Sequence, residues 1–207
     1  MKKTTLVIAV LFVTQSFAQS SLQKFFNLSA PKRMWVLFHP FQAKKALEIS
    51  RETNKVADSI KKTDLLDKDA AGGQVDAFRH GYWMARLRQE IGKSAARSLG
   101  RAHERENYLM YKKRKLEDGI VPDEISSKMD LYNNEIGLSL TVKGSKISKK
   151  ALVFRVINAI YRGEMKIIKK NKKKYFLTCD EKIIKRSSLK GKWKNNKCLV
   201  FSNIKSE

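Results

Sequence analysis

At 207 residues, with 44 Lys and Arg against 20 Asp and Glu for a net charge of +24, the chain has room for one domain with its own core plus an appendage, and not for two full-size domains. The positive surplus makes polyanions the default partners of its surface, and two cysteines far apart exclude a cysteine-built zinc scaffold. Past the N-terminus no apolar run approaches the roughly 18 to 20 residues that cross a bilayer, so no transmembrane helix is expected in the mature chain.

The chain opens with Lys2 and Lys3, an apolar run from Leu6 to Val13, and Ser16-Phe17-Ala18, the pattern of a secretory signal peptide over residues 1–18. The mature protein would start at Gln19, and no cysteine follows for lipid attachment. The expected location is the periplasm or the exterior. A helical domain is then expected over 19–163, with a basic β appendage over 164–207. Charge divides the same way: residues 19–140 carry 22 basic and 16 acidic side chains, and residues 141–207 carry 20 and 4.

From about Phe41 to Lys62, Ala43, Leu47, Ser50, Asn54, Ala57 and Ile60 recur at helical steps, so this stretch reads as a surface helix with one packed face. His39-Pro40 just before it suits a helix opening more than a ligand. A loop with Asp64, Asp67, Asp69 and Gly72-Gly73 leads to a helix from Gln74 to Glu90, stopped by Gly92. A third should run from Ser94, as its cap, to Lys113, antiparallel to the second because the joint is so short. Pro122-Asp123-Glu124 opens a fourth helix that Gly137 closes, and Ser148 to Tyr161 forms a fifth with Leu152, Val156, Ala159 and Ile160 on one face. Beyond Gly163, the runs Met165–Lys169, Tyr175–Cys179 and Cys198–Phe201 read as a small hairpin or meander. Cys179 and Cys198 are expected to pair, stabilising this segment by about 3 kcal/mol on a chain-entropy estimate. The fold class is therefore mainly α: a compact bundle of about five helices with a small C-terminal β hairpin or meander.

Three polar clusters lie between Val75 and Gly137. Asp76, Arg79, His80 and Trp83 fall within two turns of the second helix, with Asp76, His80 and Trp83 on one face. His103 and Glu104 lie on the third helix, and Asp130, Asn133 and Asn134 on the fourth. Such groups are costly to bury unless they satisfy one another or serve a ligand. As a metal site, His80, His103, Asp76 and Asp130 would hold a divalent ion, zinc or calcium, with Glu104 activating bound water. Without metal, Asp76 or Asp130 would orient an imidazole that moves a proton. Arg79, Asn133, Asn134 and Trp83 are the candidates for substrate binding, Arg79 because its forked donors match phosphate or carboxylate. The plain alternative is a buried network fixing helix register, with Trp83, Phe78, Leu99 and Met129 as core.

The runs Gly72-Gly73-Gln74-Val75-Asp76-Ala77-Phe78-Arg79-His80 with Trp83, Ala102-His103-Glu104, and Met129-Asp130-Leu131-Tyr132-Asn133-Asn134 with Gly137 together resemble an uncharacterised helical domain of bacterial secreted and toxin-like proteins. The resemblance covers residues 38–163 and implies export and a compact helical fold, without an activity. One position departs: histidine is expected where this chain has Tyr132.

The C-terminal run Lys169-Lys170-Asn171-Lys172-Lys173-Lys174, with Tyr175, Phe176 and Trp193, suits an anionic envelope component, phospholipid or lipopolysaccharide. It is equally a solvated surface, and export makes nucleic acid the weaker partner. The sequence thus points to hydrolysis of a phosphate-containing or envelope-derived substrate in a His/Asp/Glu pocket. Its rival is a non-catalytic envelope or polyanion-binding protein whose polar motif is structural.

Overall fold

His39 is shared by two helices. In the computed structural model, which describes residues 23–116 and 121–204, helix α1 (Ala30–Phe38) ends on it and α2 (Pro40–Lys61) begins from it. Proline stands at the start of both helices, where a missing N–H costs nothing. His39 Nδ1 bonds the Trp35 carbonyl at 2.9 Å, and its ring stacks on Trp35. Helix α1 was not anticipated, because Trp35 is its one buried residue and leaves little periodic signal. The expected signal peptide and Gln19 lie outside the described residues.

The packed face of α2 differs from the expected one at its N-terminal half. Ala46, Ile49, Thr53, Ala57 and Ile60 are buried, while Leu47 is 46% exposed. Beside this face Glu52 accepts from Tyr82 Oη and Arg86 Nε, both at 2.9 Å, and from Lys149 at 2.6 Å. That carboxylate ties α2 to α3 (Gln74–Ile91) and to α6 (Lys149–Tyr161).

Helix α3 is buried on nearly every side, which makes it the axis of the domain. Val75, Phe78 and Tyr82 pack with Leu152, Val156 and Ile160 of α6, and Met84 and Leu87 pack with Trp35, Ile49, Ala96 and Leu99. Its first turn is capped from a distance: Asp67 accepts from Gln74 N at 2.8 Å and Val75 N at 3.4 Å. Gly73 leaves room for that carboxylate, since a Cβ there would collide with Asp67 and Asp69.

Gly92 alone separates α3 from α4 (Lys93–Lys112). It is the N-cap residue of α4, so Ser94 lies inside the helix and does not cap it. Helix α5 (Glu124–Ser139) opens on Asp123, whose carboxylate accepts from Ile125 and Ser126 N–H in a capping box with Ser126. Gly137 does not end α5. It lies within the helix against Gly81 of α3, where a Cβ would fall well inside contact distance of the Gly81 carbonyl. The glycine is there for close helix approach, not for a turn. Ser148, expected as the first residue of α6, is its N-cap, its hydroxyl accepting from Ala151 N–H.

The C-terminal segment is antiparallel β1 (Lys166–Ile168) and β2 (Leu199–Phe201), with Ile167 opposite Val200. Between them lies the four-residue helix α7 (Arg186–Leu189). The run Tyr175–Cys179 makes isolated bridges, Lys170 with Phe176 and Leu177 with Ile183, and no strand of its own. A disulfide joins Cys179 to Cys198. The segment is bonded into the helices: both amide atoms of Asn133 engage the backbone of Lys166, Ile168 N donates to the Gly72 carbonyl at 2.7 Å, and Glu124 N donates to the Trp193 carbonyl. Among the described residues no helix is long and apolar enough to cross a membrane.

Candidate functional site

Asp76 and His80 stand one turn apart on α3, and the close crossing at Gly81 and Gly137 brings Asp130 and Asn134 of α5 up to them. His80 Nε2 lies 3.7 Å from Asp76 Oδ1 and 3.4 Å from Asp130 Oδ1. One ligand atom from each residue falls within 4.8 Å of the other two. All three are buried, at 6%, 3% and 5% exposure. On the far side of the ring, His80 Nδ1 lies 3.2 Å from Asn134 Oδ1.

Asp76 is held from two directions. Gly72 N donates to Oδ2 at 2.7 Å, and Arg79 Nη2 donates to Oδ1 at 2.6 Å. Since Gly72 also accepts from Ile168 of β1, the C-terminal segment helps seat the loop that positions this carboxylate.

His103 and Glu104 divide. The His103 ring comes within 6.1 Å of His80, centroid to centroid, and meets the edge of Trp83 at 5.6 Å. Its Nδ1 is 3.7 Å from Glu106 Oε2. Burial pushes the Glu106 carboxyl up, but His103, Lys32 and Ser29 outweigh it and hold the pKa at about 2. Glu104 faces the other way: its Oε2 accepts from Ser127 Oγ at 2.7 Å and Asn107 Nδ2 at 3.4 Å, a buried tie between α4 and α5.

Trp83 donates to Ser50 Oγ at 2.9 Å and is 9% exposed. Asn133 is spent on Lys166, as described. Tyr132, at the position where histidine is expected, lies at the surface beneath Lys166, so a ring there points away from the cluster. Phe78, Leu99 and Met129 are core.

Asp76, Arg79 and Asp130 line a pocket of about 40 Å³ together with Ser126, Phe176 and Lys197. Val121, Phe176 and Lys197 also line a much larger cleft of about 1320 Å³. Nine of its eighteen lining residues are Lys or Arg, against Asp69 and Asp123. The C-terminal segment supplies one wall, including Arg186, Lys190 and Lys192, and the end of α4 supplies another with Lys112 and Arg114.

Not all of the basic run is free charge. Lys170 bonds Asp69 and the Ala71 carbonyl, both at 2.6 Å. Phe176 lies under Lys197, whose Nζ pairs with Asp123, and Trp193 packs on Tyr108 and Tyr111. Lys197 carried no sequence signal, and Gly72 and Phe176 stood out only as part of a motif run and of the basic tail, because distant pairings bring all three to the site.

A family model described as a domain of unknown function, DUF6973, matches residues 33–164. No curated protein and no solved structure matches the chain.

Proposed function

The chain belongs to the DUF6973 family, and on the geometry of its polar cluster we propose that it is an exported hydrolase of a phosphate-containing, envelope-derived substrate. One observation carries the reading: a buried imidazole meets two carboxylates from separate helices, and those two carboxylates line, with Arg79, a pocket that shares Val121, Phe176 and Lys197 with a strongly basic cleft. The cleft gathers an anionic substrate, and the forked donors of Arg79 at the pocket match its phosphate. Asn134 fixes the orientation of the His80 ring, leaving Nε2 toward the two carboxylates. In this reaction a water oxygen bonds to phosphorus as the phosphorus–alcohol oxygen bond breaks. His80 takes the proton from water and returns it to the departing alcohol, while Asp76 and Asp130 stabilise the transient imidazolium.

Export is supported by the leader-like first eighteen residues and by the Cys179–Cys198 disulfide, a bond that persists in oxidising compartments. The second reading is a non-catalytic binder of anionic phospholipid or lipopolysaccharide whose polar motif is structural. It is favoured by the burial of His80 and by the full use of Asn133 on backbone.

The deciding experiment is a panel of phosphomonoesters, phosphodiesters, anionic phospholipids and an oligonucleotide, assayed with the wild type and His80→Gln. Turnover of one phosphate class by the wild type, lost in the variant, supports the hydrolase. Retained vesicle binding with no turnover in either protein selects the binding reading.

A further inference from the structure

We propose that Asp76 Oδ1, His80 Nε2 and Asp130 Oδ1 hold one divalent transition-metal ion of the zinc type. The inference deepens the hydrolase reading and rests on the same residues with one change of role: an Nε2 that holds the ion no longer takes the proton, which water on the ion would give up instead, and binding itself requires no turnover.

The separations from His80 Nε2 to the two carboxylate oxygens, 3.4 and 3.7 Å, lie close to the edges of a coordination sphere, and all three ligand atoms fall within 4.8 Å of one another. Ligands at about 2.0 to 2.2 Å in tetrahedral array lie roughly 3.3 to 3.6 Å apart. The donors come from two helices locked by the glycine crossing, so their spacing is set by backbone packing.

The ring is oriented for ligation. An amide oxygen only accepts, so Asn134 Oδ1 beside Nδ1 selects the tautomer with the proton on Nδ1. The lone pair of the neutral ring is then on Nε2, on the side of the two aspartates. A hydrogen bond to the nitrogen that does not bind metal is the usual partner of a metal-ligating histidine.

Charge supplies a further argument. Asp76, Asp130 and the Arg79 that pairs with Asp76 leave the cluster at a net of one negative charge, which repels the phosphate that the basic cleft attracts. A dication reverses that sign. The pocket of about 40 Å³ beside Asp76 and Asp130 is large enough for the water that would complete a four-coordinate ion, since one water occupies about 30 Å³ of the liquid. Three protein ligands and one open position are the pattern of catalytic zinc. Calcium fits poorly, because it takes about six to eight oxygens and the set offers a nitrogen and two carboxylates. His103 is outside the set, with its Nδ1 beside Glu106.

The test uses the full chain, stripped with chelator and titrated separately with zinc and calcium, read by metal content, calorimetry and thermal shift. We expect about one zinc per chain and a rise in Tm with zinc but not calcium. Asp130→Asn and His80→Gln abolish the uptake, Asn134→Ala weakens it about 10- to 100-fold, and His103→Ala leaves it unchanged. Circular dichroism checks the fold of each variant, and the absorption spectrum of the cobalt-loaded wild type reports nitrogen and oxygen ligation without any substitution.

A wild type that takes up no zinc at micromolar concentration overturns the inference, as does a His103→Ala variant that loses zinc as fully as Asp130→Asn. Turnover in a wild type that takes up no zinc ends the metal inference and leaves the hydrolase. Zinc uptake without turnover of any phosphate substrate does the reverse.

Discussion

The seam between α3 and α5 and the His103-Glu104 stretch of α4 are equally rich in polar residues, yet they are built for different ends. At the seam, two glycines let the backbones approach until Asp76, His80, Asp130 and Asn134 converge around one ring. On α4, adjacent residues point to opposite sides: His103 turns to Glu106 and Trp83, and Glu104 to Ser127 and Asn107. Convergence at a site comes from residues one turn apart on closely crossing helices. Side-by-side residues on one helix serve two separate neighbourhoods.

The sharpest way to break this contrast is catalytic. Asp130→Asn should lower phosphate-ester turnover about 10²- to 10⁴-fold, as expected when a proton-transfer site is disabled. His103→Ala should cost under about tenfold. Equal losses in steady-state kinetics would erase the distinction between the two regions.

Next in size is the seam itself. Gly137→Ala places a methyl against the Gly81 carbonyl and should destabilise by about 3 kcal/mol in denaturant unfolding. An unchanged midpoint would mean that the helices part easily and that the site is not fixed by their crossing.

On the α4 side the carboxylate to titrate is Glu106. Its partners hold the folded pKa at about 2, below the 4.5 of a free glutamate, so its stabilisation is present above pH 4.5 and is lost as pH falls toward 2. Glu106→Gln should therefore be less stable than the wild type by no more than about 2 kcal/mol at pH 7, since the partners are partly exposed. The two proteins should converge near pH 2. A gap that persists at acid pH would show that packing, not charge, accounts for it.

The smallest effect belongs to Glu104. Glu104→Gln keeps the shape and weakens the bonds from Ser127 and Asn107, for an expected loss of about 1 kcal/mol in stability and no change in turnover. A collapse in turnover would return Glu104 to the catalytic set.

Much of the helical frame was legible because its periodicity and caps are local. The ends of α3, the Asp123 opening of α5 and the start of α6 at Ser148 follow from residues adjacent in sequence. Asp76, His80 and Asp130 stood out as polar groups at core spacing. What stayed hidden depends on distance. Gly137 reads as a stop until Gly81 is seen beneath it, and Asp67 reads as loop until it caps α3. Asn133 and Asn134 look alike in sequence, but one is spent on the Lys166 backbone and the other on His80. The tail read as an appendage because its lysines give no clue that Lys170 finds Asp69 and Lys197 the buried Asp123.

The bond from Ile168 to the Gly72 carbonyl carries a practical consequence. Gly72 presents its N–H to Asp76, so the strand that begins just past the family match at residue 164 braces the peptide gripping this carboxylate. A recombinant fragment cut at the family boundary would keep every motif residue and still lose that brace, together with the partner of Asn133. Inactivity in such a fragment would reflect a missing support, and says nothing against the motif.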